Sequence, residues 1–379
     1  MYFTKLQGCG NDYILLDGRK NGGRNATENR GELARLLCDR HYGIGADGLL
    51  YVQPGKKAPF EMEMYNQDGS RAEMCGNGIR CVGKYIWDNG LTKERKFEVE
   101  SLGVVRSLRM LDDREVPETL REDRTQERGE FWERQQEEGR SEEEQCEKEY
   151  QGEGRSEEEQ CEKESQRKEC CEKGQNEKQE RKEWKRAGGT WERDRLGKKV
   201  RYIQVDMGAP GEIREIRIEG EHDAGMEGKE RTGLSWREGD SISCCQRDGG
   251  TGGRILISCV SMGNPHAVLL LSEEEDWQVE TLGPLIEKAK AFPDRTNVEF
   301  VKVLGRNRIA LRVWERGVGE TLACGTGACA AAVVCMQKGL TDEKITVTLL
   351  GGRLLVSREA STGHVLMTGP AETVFEGKL

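Results

Sequence analysis

One device occurs twice in this chain, far apart. "EMCGNGIRCVGKYI" spans residues 73–86 and "ETLACGTGACAAAVV" spans 320–334. Each sets a Cys-Gly-x-Gly turn before an apolar run with helical spacing. The first run stops at Asn89-Gly90 and the second at Gly339, where glycine ends a helix readily. A turn this particular, built once in each half, predicts two similarly constructed lobes. Each would carry a helix that begins at a cysteine.

The surrounding segments agree. In the first half, YILLD (13–17), LLYV (49–52) and EMEMY (61–65) predict strands, and ENRGELARLLCDR (28–40) predicts a helix. In the second half, YIQVD (202–206), RILISCV (254–260), NVEFVKV (297–303) and RIALRVW (308–314) predict strands. TLGPLIEKAKA (281–291) predicts a helix. Strands mixed with helices in both halves give an α/β (α+β) class. A chain of 379 residues is long enough for two such lobes.

Between them lies a different material. Residues 112–200 hold 29 acidic and 21 basic side chains in 89 positions, a net of −8 out of the whole chain's −10. GRSEEEQCEKE begins at Gly139 and again, 15 residues on, at Gly154. So few apolar residues cannot offset chain entropy, so the segment is expected to be disordered or an exposed helix with i,i+4 ion pairs. The expected organisation is a first lobe at 1–111, completed by a C-terminal strand at about 363–379, a charged insertion at 112–200, and a second lobe at 201–362. A Gly- and charge-rich stretch at about 220–253 reads as a long loop.

Outside the insertion the chain is nearly neutral, with no basic patch interleaved with aromatics, which argues against nucleic acid as a partner. MYFTKLQG reads as a strand rather than a signal peptide, and no window is apolar enough to span a membrane. A cytoplasmic protein is expected. The 14 cysteines contain no Cys-x-x-Cys, so neither a disulfide framework nor a zinc site is signalled.

A helix N-terminus exposes unpaired N–H groups and a partial positive charge, which lowers the pKa of a cysteine placed there. Glycines let the backbone approach a bound anion. Each turn thus offers a poised thiol and a carboxylate cradle. Two thiols facing each other across a cleft suit inversion of a stereocentre. One thiolate removes a proton from one face, the other thiol returns a proton to the opposite face, and the helix N-termini stabilise the charge that builds on the carboxylate. Neither a metal nor an organic cofactor is required. A lone cysteine near glycine is ordinarily a small core residue. Cys9, Cys38, Cys81, Cys259, Cys329 and Cys335 are read that way. Cys146, Cys161, Cys170 and Cys171 lie in the charged segment without a ligand histidine. GIGADG (43–48) follows a helix and precedes a strand, the reverse of a dinucleotide fingerprint.

GCGNDYILLD, RHYGIGADGLL, MYNQDGSRAEMCGNGIRC, SMGNPHAVL, FPDRTNVEFV, RVWERGVGETLACGTGACAAA and MTGPAETVFEGKL stand in order along the chain. Together they resemble the diaminopimelate epimerase family over most of 1–107 and 201–379. The resemblance implies two pseudo-symmetric lobes, each a mixed sheet or barrel around a central helix. It implies cofactor-independent interconversion of LL- and meso-2,6-diaminopimelate, on the way to lysine and peptidoglycan precursors. Cys75 and Cys324 match the family's base and acid. Asn11, Asn66, Asn264, Asn297, Glu315 and Arg316 match substrate-binding residues. Gly76 with Asn77, and Gly325 with Thr326, match the helix starts that hold the reacting carboxylate. His266 and Glu315 match residues that tune the thiols. The implied partner is a small molecule, with neither nucleic acid nor membrane, and the family admits a homodimer. Gly48 stands where some members have glutamine, Cys9 where leucine is frequent, and the insertion at 112–200 is absent from typical members.

Other readings remain open on the sequence: a cofactor-free racemase of another amino acid, a non-catalytic scaffold with a partner-binding insert, or a dithiol redox sensor using Cys75 and Cys324. Glu315, Arg316 and the asparagines favour a substrate with a second amino-acid end.

Overall fold

Eight strands close a barrel, and the order in which they pair explains the helix inside it. The computed structural model describes residues 1–20, 29–72, 75–121, 201–222, 234–236, 254–272 and 275–379, all within one compact unit, Met1–Arg128 with Asp194–Leu379. β1 (Tyr2–Gly8) and β2 (Asn11–Asp17) form a hairpin through Cys9 and Gly10, both at positive φ. β2 pairs in parallel with β3 (Gly48–Pro54), which turns back into β4 (Phe60–Asn66). β4 pairs in parallel with β5 (Lys96–Ser101), and β6 (Val104–Leu111) follows antiparallel. Parallel neighbours need a crossover connection, and helices α1 (Arg30–Cys38) and α2 (Gly76–Asp88) supply the two. After β6 come a 3₁₀ turn (Asp113–Glu115) and a short helix, α3 (Glu118–Arg121). β7 (Arg201–Asp206) then pairs with β6, and the last strand of the chain (Val365–Lys378) joins β7 to β1, closing the ring.

The second crossover passes through the barrel. Every position of α2 from Gly76 to Ile86 is buried, including Arg80 and Lys84. Such charges are tolerated inside only when hydrogen-bonded. Arg80 donates to the carbonyls of Gly76 and Pro370 and to the Asn77 amide oxygen, and Lys84 donates to Asp88 at 2.5 Å.

The second half repeats the order. β8 (Arg214–His222) carries the short β9 (Leu234–Trp236) on one side and β10 (Arg254–Ser261) on the other. β10 hairpins into β11 (Pro265–Leu271), and α4 (Val279–Glu287) crosses to the parallel β12 (Asn297–Gly305). β13 (Arg308–Glu315), with the short β14 (Gly319–Thr321) against it, leads to α5 (Gly325–Gln337). α5 crosses to the parallel β15 (Lys344–Leu349), then come β16 (Gly352–Arg358) and β17, the Val365–Lys378 strand. α5 is buried from Gly325 to Met336 and is built of small and apolar residues, as a helix enclosed on all sides must be. The repeat makes β2 the counterpart of β11, β3 of β12, β4 of β13, and α2 of α5.

All the strands expected from sequence are present, and the two-lobe α/β architecture holds. The details differ in four places. β7, expected in the second lobe, closes the first barrel; β17 completes that barrel but also pairs with β16 through residues 365–368. A strand's own pattern does not name its neighbour. The charged segment, expected from Asp112, begins later. Val116 and Leu120 are buried with Tyr202 and Leu355, and the Tyr202 hydroxyl donates to the Leu120 carbonyl at 3.3 Å. Its residues 122–200, with their four cysteines, lie outside the described residues. In the stretch expected as a loop at 220–253, β8 runs on to His222 and β9 forms at 234–236, and the remainder also lies outside. The helix expected at 281–291 begins at Val279 and ends at Glu287, where tight turns at Ala289 and Phe292 take over. Among the described residues no helix is long and apolar enough to cross a membrane.

Candidate active site

The two central helices begin against each other. A Cβ on Gly76 would lie 3.2 Å from the Gly325 Cα, and one on Gly325 would lie 3.1 Å from the Gly76 Cα. A side chain at either place would push the helix starts apart. The Asn77 amide donates to the Ala323 carbonyl at 2.9 Å and so ties α2 to the residue before Cys324.

Cys75 and Cys324 are the N-caps of these helices. Each has extended backbone, and each sulfur accepts the N–H three residues on, from Gly78 at 3.3 Å and from Gly327 at 3.4 Å. The cap is the usual Ser/Thr role filled by sulfur. Two thiols therefore stand at the touching ends of two helices whose first N–H groups have no partner within the helix.

Their remaining neighbours differ. The Tyr13 hydroxyl is 3.2 Å from the Cys75 sulfur. Cys324 has the Thr326 hydroxyl at 3.5 Å. Behind Thr326 runs a chain: the Asn264 amide nitrogen donates to the Thr326 oxygen (3.4 Å), the Asn264 oxygen faces His266 Nε2 (2.9 Å), and His266 Nδ1 faces Glu299 (2.7 Å). The His266 and Glu299 side chains have no solvent exposure. Both imidazole nitrogens thus face side-chain oxygens. Thr326, already accepting from Asn264, can turn its own O–H to the sulfur.

Glu315 ends β13, and its charge acts on both thiols. Its carboxyl accepts from the Thr321 hydroxyl (2.6 Å), and its charge acts on Tyr13 as well. Burial pushes the Glu315 carboxyl above its usual range.

One expectation is corrected. A helix N-terminus was expected to lower the thiol pKa values, but both are raised. For Cys324 the causes are burial first, then the charges of Glu315 and Glu299. They outweigh the donors from Thr326 and Gly327 and hold the thiol well above its ordinary value. For Cys75 burial is again first, opposed by Tyr13 and Gly78. Enclosure between two lobes removes the water that ionises a thiol, and the helix ends offset that loss only in part.

The other named residues take up distinct positions. The Asn297 side chain donates to the Pro265 carbonyl and accepts from the Arg316 N–H, both at 3.0 Å, so it braces the Glu315–Arg316 turn. Asn66 donates to the Ser70 hydroxyl at 3.0 Å. Asn11 has a buried amide oxygen with no hydrogen-bond partner. The Arg316 guanidinium donates to the Asp294 carbonyl at 3.3 Å. Cys9, Cys38, Cys81, Cys329 and Cys335 are buried as expected; Cys259 is only half-buried. A Cβ on Gly48 would meet the Tyr65 carbonyl at 2.8 Å, so a larger residue there would force β3 and β4 apart.

Sequence reading missed Tyr13 and Glu299. Both sit in runs read only as strands. The available signal was period two: Tyr13 shares a strand face with Asn11, and Glu299 with Asn297. An acid in the otherwise apolar VEFV run was the sharper clue.

The sequence model described as diaminopimelate epimerase matches residues 3–122 and 258–374. A diaminopimelate epimerase of Pelotomaculum thermopropionicum is 36% identical over 380 residues, covering 100% of this chain and 98% of the relative. One of Acetivibrio thermocellus is 34% identical over 379 residues, again covering 100% and 98%. Among solved structures, a phenazine biosynthesis protein of Bacillus anthracis has a TM-score of 0.54 at 12% identity, covering 100% of this chain and 98% of that one. A hydroxyproline epimerase of Agrobacterium vitis has a TM-score of 0.51 at 11% identity, covering 100% and 91%; at these identities the likeness is one of fold. With its two similarly ordered lobes, its two capping thiols and relatives aligned along its whole length, the chain belongs to the diaminopimelate epimerase family.

Proposed function

We propose that this chain is an isomerase that interconverts LL- and meso-2,6-diaminopimelate, in the cytoplasm, through Cys75 and Cys324. The observation that carries the reading is the meeting of two cysteine-capped helix starts at Gly76 and Gly325 in a member of this family. The α-carboxylate of the reacting centre lies over those starts, held by N–H groups of Gly76, Asn77, Gly325 and Thr326. One sulfur, as thiolate, takes the α-proton. The developing charge spreads onto the carboxylate, where the helix dipoles oppose it. The opposite sulfur, as thiol, delivers its proton to the other face, and the reverse reaction exchanges the two roles.

His266 acts on Cys324 through Asn264 and Thr326, and Glu315 acts on both thiols. A raised thiol pKa suits this chemistry. A more basic thiolate is the stronger base toward a weakly acidic C–H, and the substrate's charge and contacts shift the balance further once bound. Asn11, Asn66, Asn264 and Asn297 bind the substrate, and Glu315 and Arg316 take its distal amino-acid end. The unpartnered Asn11 oxygen is an acceptor for its ammonium. The guanidinium of Arg316 suits its carboxylate. A homodimer is the assembly this reading expects.

Proton NMR of the reduced protein with LL-2,6-diaminopimelate in deuterated buffer tests the reading. The expected result is loss of the α-proton signal together with appearance of the meso isomer. No exchange, in a folded and fully reduced sample, would remove diaminopimelate as the substrate.

A further inference from the structure

Tyr13 and His266 hold the same place in the two lobes. Tyr13 is two residues past Asn11 on β2 and pairs with Gly48 of β3. His266 is two residues past Asn264 on β11 and pairs with Asn297 of β12. His266 reaches its thiol through two other side chains, whereas the Tyr13 phenol touches the Cys75 sulfur directly.

We infer that the Tyr13 hydroxyl is a catalytic hydrogen-bond donor to Cys75 that stabilises its thiolate and so sets how much of it is available as base. The inference rests on the two-thiol reading above. A phenol has one proton to give. Toward a thiolate it gives that proton in a charge-assisted hydrogen bond; toward a thiol, sulfur offers only a weak acceptor and a weak donor. The contact therefore favours the charged form. Tyr13 is 1% exposed, and burial together with the Cys75 charge holds its own ionisation well above the usual value. The phenol thus stays a donor wherever a thiolate can form.

The groups that face Cys75 are few. On α2 they are the N–H groups of Gly78 and Asn77 and, six residues on, the Cys81 thiol, pushed up to about 12 and therefore uncharged. On β13 it is the Glu315 carboxyl, which as an anion opposes ionisation. On β2 it is Tyr13. Among the described side chains, Tyr13 alone donates a hydrogen bond to this sulfur against both burial and Glu315.

The test is iodoacetamide alkylation of the full chain as a function of pH, read cysteine by cysteine from peptide masses, for wild type and Tyr13→Phe. The expected result is a Cys75 midpoint raised by about one pH unit in Tyr13→Phe, the scale of one hydrogen bond to a charged group, with the Cys324 midpoint unmoved. Below that midpoint kcat/KM falls about tenfold, by the same factor in both directions because the equilibrium constant ties them, and it recovers at high pH. An unmoved Cys75 midpoint overturns the inference. So does an equal shift at Cys324, which would mean general loosening. Alkylation needs no substrate, so the shift is read whether or not diaminopimelate turns over. Loss of turnover in wild type would strike the substrate assignment alone. Should Tyr13→Phe not fold, wild-type sequence grown with 3-fluorotyrosine supplies a more acidic phenol. The Cys75 midpoint should then fall, and no change would equally sink the idea.

Discussion

The two lobes build the same backbone and surround it with different chemistry. In the first, Tyr13, Gly48 and Asn66 form one row across β2, β3 and β4, and Leu50 lies beneath Gly78. In the second, His266 pairs with Asn297, Glu315 ends β13, and Glu299 lies beneath Gly327 where Leu50 lies in the first. Lobe one thus sets a phenol against its thiol and a leucine beneath its helix start. Lobe two encloses its thiol with an imidazole and two carboxylates. A repeated turn fixes where two sulfurs stand. Residues paired across neighbouring strands decide how readily each gives up its proton.

Removing either sulfur breaks the comparison most severely. Cys75→Ala and Cys324→Ala should each lower epimerisation by about 10²- to 10⁴-fold while leaving the circular dichroism spectrum unchanged. Substantial turnover in either variant would end the two-thiol account. Exchanging the residues beneath the helix starts comes next. Leu50→Glu places the second lobe's carboxylate in the first lobe without its imidazole, and should cost about 3–5 kcal/mol by urea unfolding. The reciprocal Glu299→Leu strips His266 of its partner and should cost about 1–3 kcal/mol. Equal and negligible costs would show that the two pockets are interchangeable.

Glu315 offers a smaller, pH-dependent test. Its carboxyl is raised in the fold, so its stabilising contribution is complete below about pH 4.3, the ordinary value, and is lost as pH rises through the folded value. Wild type should therefore lose stability relative to Glu315→Gln as pH climbs from 4 toward neutrality. A stability difference that is flat with pH would remove the shift. The smallest effect is expected outside the comparison altogether. The Tyr202–Leu120 hydrogen bond brings the departing and returning chain together, so a short linker can replace residues 124–197. Turnover of that variant should stay within about twofold of wild type, since catalytic effects arise from groups held against the reacting atoms. A folded but inactive deletion would give the charged segment a part in the cleft.

Much of this architecture was legible before any coordinates. Strand and helix positions followed from periodicities of two and 3.6, and helix starts from glycine and cap chemistry. Boundaries failed where the deciding contact was distant in sequence. Val116 and Leu120 are two apolar residues in a charged run, and only Tyr202 and Leu355 give them a core to enter. β7 fits either lobe by its own pattern, and its pairing with β6 and β17 settles the matter. Within the site, the two cysteines stood out because their turns repeat. Tyr13 and Glu299 did not, because an isolated polar atom in an apolar strand has no signature beyond the face it shares.

The sequence by itself determined two lobes and two cysteine-capped helices, because turns, caps and amphipathic periods are local chemistry. Only the tertiary structure decided that the two helix starts touch through glycine, that burial raises both thiols against the pull of their helix ends, and that Glu315 acts on both sulfurs while a phenol meets one and Glu299 acts on the other. Those are consequences of which strands become neighbours and how much water they exclude, and neither is written in any one segment of the chain.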